Sequence, residues 1–83
     1  MTSSPSVSLT ADQIQDLSKQ LSTMRHDINN SLSLVLAAAE VIRRKPEAVE
    51  RMTGTLTDQP RKVTDAMQKF SASFENALGI VKA

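Results

Sequence analysis

Apolar side chains recur along the first half of the chain with the period of a helix that packs on other helices. Ile14, Leu21, Ile28, Val35 and Ile42 follow one another every seven residues, and Leu17, Met24, Ser31 and Ala38 fill the intervening seam positions. Only Ser31 interrupts the apolar run. Kept up over about four repeats, such a heptad marks a coiled coil or helical bundle, because this spacing returns each seam residue to one side of the helix. Leu32, Leu36 and Ala39 widen the stripe in its second half, as expected of a helix with more than one neighbour. The pattern predicts a helix over about residues 10–45. Thr10 and Gln13 have the spacing of a capping box, which satisfies free backbone N–H groups at a helix start. No Gly or Pro falls inside the segment, and Arg43, Arg44 and Lys45 suit the negative end of its dipole.

Pro46 closes that helix and fits the first position of the next, with Glu47 in the first turn. The second helix is expected over about residues 46–82. Val49, Met52 and Leu56 form one apolar group, and Val63, Met67, Phe70, Phe74, Ala77, Leu78 and Val81 form another at three- and four-residue steps. Gly54 and Pro60 lie between the groups, so the helix should be kinked or broken near residues 54–60. Two forms are open: one kinked helix, or a short helix followed by a longer one restarted at Thr57 or Asp58. The Ser-rich segment 1–9, with Pro5, reads as a disordered tail, which leaves one domain over residues 10–83.

Each helix would be roughly 50 Å long, and the two match when folded back on one another. Stripes this wide exceed what two helices cover. The fold class predicted is therefore all-α, a long antiparallel hairpin that dimerises with C2 symmetry into a four-helix bundle. Phe70, Phe74, Met24, Met52 and Met67 read as core residues rather than as the walls of a cofactor pocket.

Composition narrows the chemistry. The 83 residues include no cysteine and one histidine, which removes disulfides, thiol chemistry and the usual zinc site. A chain this short commonly needs such a staple or a partner, so oligomerisation is the stabiliser left. Ten basic residues stand against nine acidic ones, a formal net charge of +1, and Trp and Tyr are absent. That balance argues against nucleic acid as a partner. The apolar run Leu34–Ala39 is too short to span a bilayer and the N-terminal residues do not form a signal peptide, so a cytoplasmic protein with no membrane partner is expected. The two glycines are isolated and cannot build a phosphate-cradling loop. No cofactor is therefore expected on this chain, and ATP is not expected to bind.

The single histidine, His26, falls on the face opposite Leu21 and Ile28, so it is expected in solvent, as an ordinary surface residue or a reactive one. Its neighbours read Arg25-His26-Asp27-Ile28-Asn29-Asn30-Ser31. Asp27 can accept a proton from one ring nitrogen, fixing the tautomer and leaving the other nitrogen as a nucleophile. Asn30 lies one turn on, on the same face. Arg25 reads first as a solvated base and second as a partner for phosphate.

The pattern His26-Asp27-x-x-Asn30 resembles the H-box of sensor histidine kinases, set in a long helix of a hairpin as in their dimerisation and histidine-phosphotransfer (DHp, HisKA-like) domain. The resemblance covers roughly residues 12–82. It implies that His26 is the phosphoacceptor, Asp27 the assisting base, and Asn30 the group that positions water when a partner is dephosphorylated. Ser31 stands where many members carry proline. The nucleotide-binding domain of such kinases has no counterpart in these residues. The module would then receive phosphate from another protein or belong to a longer polypeptide, and would not be a self-sufficient kinase.

On that reading the chain is a phosphorelay module of a two-component system. Phosphate reaches His26 and passes to a response-regulator receiver domain, with Mg²⁺ held by the receiver; a histidine kinase is the other expected partner. The alternative is a non-catalytic homodimeric interaction protein that modulates a kinase or regulator, with His26 silent. A plain structural coiled coil is a third reading. If the hairpin register is even, the second helix passes His26 near residues 64–67 and brings Arg61, Lys62, Asp65 and Lys69 within a turn or two.

Overall fold

The protein is described here by a computed structural model over residues 7–79. It is an all-α hairpin. Helix α1 spans Ala11–Arg44, a 3-10 turn spans Pro46–Ala48, and helix α2 spans Val49–Leu78. The two long helices pack against one another antiparallel, giving a rod with extents of 60 × 27 × 19 Å.

The start of α1 is the capping box expected of Thr10 and Gln13. The Gln13 amide N–H donates to Thr10 Oγ1 at 3.0 Å, and the Thr10 N–H donates to Gln13 Oε1 at 2.8 Å. At the other end Glu40 accepts from Arg43 at 2.6 and 3.1 Å and from Arg44 at 3.2 Å. Lys45 leaves helical geometry at φ −134°, ψ 85°, as the residue before a proline must. Pro46 then opens the 3-10 turn, where its missing N–H costs nothing.

Of the two forms open for residues 54–60, the continuous one is found. α2 runs through Gly54 and keeps Pro60 inside it, and no second helix restarts at Thr57 or Asp58. Proline at this position deprives the Leu56 carbonyl of its helical donor and wedges the ring against the preceding turn, so this is where α2 bends. Thr64 Oγ1 donates to the Pro60 carbonyl at 3.2 Å, one turn on. The helix ends earlier than the expected residue 82. Gly79 takes φ +71°, the left-handed conformation that terminates helices, and its N–H donates to the Asn76 carbonyl at 3.2 Å. Residues 80–83, with the expected apolar position Val81, and residues 1–6 of the expected tail lie outside the described residues.

The hairpin has little core of its own. Among the described residues only Ala38 and Ala48 are fully buried apolar residues, at the closed end where α1, the turn and α2 converge. Leu17, Met24, Ile28, Val35 and Ile42 of the seam are half-buried, as are Met52, Leu56, Val63 and Phe70 of α2. Phe70 and Phe74 stack at 5.9 Å between ring centroids. Ile14, Leu32, Leu36, Met67 and Phe74 remain exposed, Leu36 at 71 %. No helix among the described residues is long and apolar enough to cross a membrane.

Candidate functional site

His26 stands near the middle of α1, two residues from each of the half-buried seam residues Met24 and Ile28. Met24 and Ile28 turn toward α2, so position 26 is rotated away from it and the ring projects into water. Its side chain is 83 % exposed and that of Asp27 is 58 % exposed. Nδ1 of His26 lies 3.5 Å from Oδ1 of Asp27, at the outer limit of a hydrogen bond. A proton on Nδ1 is the one this carboxylate can attract, which leaves the lone pair of Nε2 directed to solvent.

Asn30 is exposed and follows His26 by one helical turn, with Cβ atoms on the order of 5–6 Å apart in this spacing. The two side chains share no hydrogen bond. What Asn30 does share with Asp27 is a groove of about 340 Å³ between the helices, where both face Lys62, Asp65 and Lys69 of α2. His26 itself does not line this groove. The α2 residues opposite the histidine level are thus close to the stretch 64–67 expected from the even register. Arg61 and Arg25 are both exposed, and neither lines the groove.

Two further groove residues carry polar side chains at positions that helical periodicity assigns to packing. Ser31, the one break in the α1 seam, is 4 % exposed, and Gln59 of α2 is 8 % exposed. Gln59 escaped the sequence reading although a signal was there. It occupies the slot between Leu56 and Val63 in the three- and four-residue rhythm of α2, where an apolar side chain is the rule.

The acidic side chains do not assemble a metal centre. Among the described residues no group of three or more His, Cys, Asp or Glu is placed to hold a metal ion. Compared with known proteins, the chain matches no family model, no curated protein and no solved structure.

Proposed function

We propose that this chain is a DHp-like histidine phosphoacceptor and phosphotransfer module of two-component signalling, cytoplasmic and homodimeric. The observation that carries the reading is the Nδ1–Oδ1 approach between His26 and Asp27 on a solvent-facing stretch of helix, with Asn30 one turn away. A nucleophile for phosphoryl transfer needs an accessible lone pair and room for a bulky donor, which the outward ring supplies, and a preferred tautomer, toward which the Asp27 carboxylate biases it.

In the proposed step Nε2 of neutral His26 attacks phosphorus of a donor phosphoryl group. The N–P bond forms as the P–O bond to the donor breaks, and the electron pair leaves with the donor oxygen. The ring then carries positive charge, and the Asp27 carboxylate beside Nδ1–H offsets it. Transfer onward reverses the sequence: an aspartate oxygen of a receiver attacks phosphorus and Nε2 departs as neutral imidazole. Mg²⁺ enters with the receiver. Asn30, one turn on, would orient a water when a phosphorylated partner is bound.

Dimerisation belongs to the same proposal. Ile14, Leu21, Leu32 and Leu36 expose apolar surface that a second hairpin would cover, closing a four-helix bundle with His26 on its outside. The competing reading keeps the dimer and makes His26 silent, the chain acting by docking alone. The length of the Nδ1–Oδ1 contact is the observation in its favour.

The two readings separate in one experiment. Incubated with a phosphorylated receiver or an active histidine kinase, wild-type protein should acquire acid-labile phosphate, and His26→Gln should acquire none. A folded dimer that stays unlabelled with such donors, or a His26→Ala variant that keeps full signalling function, would favour the docking protein.

A further inference from the structure

The two broad faces of the hairpin differ in kind. On one, Asp16, Gln20 and Asp27 of α1 share grooves with Lys62, Asp65 and Lys69 of α2, so that face is polar. At about 100° per residue, Ile14, Leu21, Leu32 and Leu36 fall on the other flank of α1, and Met67 and Phe74 on the other flank of α2. All six are exposed, and of the large apolar side chains exposed on the two helices only Leu34 falls on the grooved side. The second face is therefore an apolar stripe contributed by both helices, which in water calls for a cover.

Arg25 stands in this stripe. It occupies the flank between Leu21 and Leu32, is exposed, and is the one charged residue on that flank from Ile14 to Leu36. It forms no ion pair within the described residues. Its level on α2 follows from the grooves: Met24 shares one with Ala66 and Phe70, so Arg25 lies about level with Met67. Beside Met67, a shallow depression of about 410 Å³ on α2 is lined by Thr64, Gln68 and Ser71, with Glu75 at its far end. Their side-chain oxygens can accept from a guanidinium.

We propose that the occupant of this face is a second copy laid parallel to the first, α1 on the partner's α2, and that Arg25 fixes this orientation. The assignment rests on the homodimer proposed above and not on the chemistry of His26. A two-fold axis along the rod keeps levels aligned, so the apolar flank of α1 meets that of the partner's α2 and Arg25 meets the depression beside Met67. A two-fold axis across the rod instead lays α1 on α1 with directions reversed. With the ends flush, position 25 then faces position 30, and the two Arg25 groups stand roughly 8 Å apart along the axis with no acidic residue on either stripe. Like charges brought together in this way reject one arrangement and leave the other.

Distances between spin labels test the orientation, and the absence of cysteine makes single labelling sites clean. In the full chain, labels on Asp12→Cys at the open end and on Glu47→Cys at the closed end should each give one distance below about 30 Å, the width of four packed helices. An antiparallel pair gives distances approaching the 60 Å length of the rod. Arg25→Leu should leave a dimer and add this long distance as a second population, whereas Arg25→Lys should keep the short one alone. Arg25→Gln serves the same purpose should Arg25→Leu aggregate. Long distances without any Arg25 substitution overturn the proposal, as does a single short distance that persists when the charge is removed. Antiparallel dimers that still take phosphate on His26 would leave the phosphotransfer reading standing and remove the orientation. A charge-dependent short distance beside an inert His26 would do the reverse, and a monomer would remove the orientation and the homodimer together.

Discussion

An imidazole in water reacts according to what holds its second nitrogen. In this chain that is one carboxylate at 3.5 Å, itself more than half exposed. Such a contact biases the tautomer and offsets charge, but water competes for both partners. Asp27→Asn should therefore slow phosphoryl acceptance by about 10²-fold, the low end of what general acid–base groups contribute, while leaving helicity unchanged. A rate within a few-fold of wild type would remove Asp27 from the chemistry. The local pattern His26-Asp27-x-x-Asn30 was visible in sequence because it is contiguous on one helix face. Gln59 was not, because its partner in the groove is 28 positions away and only the hairpin register joins them. Gly54 also shows its character only in three dimensions. A methyl group added there meets nothing within 4 Å, and its backbone is helical. Gly54→Ala should stabilise the fold by about 0.5–1 kcal/mol, read as a higher denaturant midpoint. A lower midpoint would mean that α2 needs glycine's freedom at the bend.

The helices follow rules that a sequence states openly at their ends and ambiguously in their interiors. Thr10 with Gln13 announced the start of α1, and Pro46 announced its stop, because caps and prolines act through neighbouring residues alone. Pro60 was ambiguous since a proline either ends a helix or bends it, and packing along the whole of α1 decides which. Holding α2 against a continuous partner keeps it a single helix. Gly79 could have been read as the stop it is, since glycine just past a helix is the commonest terminator; the apolar rhythm reaching Val81 masked it. The last turn of α1 carries its own electrostatic fastening. The hydrogen bond from Arg43 is the main cause that holds the Glu40 carboxyl below its ordinary pKa; desolvation opposes it, and the hydrogen bond from Arg44 adds the smallest share. A depressed carboxylate pKa contributes stability above the unfolded-state value and loses it as pH falls through the folded one. Carboxyl-carbon NMR should place the Glu40 midpoint below the ordinary glutamate range, and Arg43→Gln should raise it. A midpoint unmoved by that substitution would show that the pair is not formed in solution.

At the scale of the whole molecule, the rod is too thin to shield its own seam. Two helices leave Ile14, Leu32, Leu36, Met67 and Phe74 facing outward, and no large side chain is completely enclosed among the described residues. An 83-residue chain without disulfides has little else to stabilise it, so the uncovered stripe is the physical reason to expect a second copy. The width of the apolar stripe carried this in the sequence. What sequence could not carry is which side of α1 meets α2 and which is left over, because heptad positions are nearly equivalent until a partner is chosen. His26 stands on neither packing face. Two properties therefore belong together, a pair of hairpins zipped along the apolar stripe and an outward histidine that takes phosphate. Native mass spectrometry after incubation with a phosphorylated receiver reads both at once. The prediction is a species of twice the 9.0 kDa chain mass carrying phosphate that maps to His26. A monomer, or a dimer left unmodified by donors that phosphorylate other histidine modules, would contradict it.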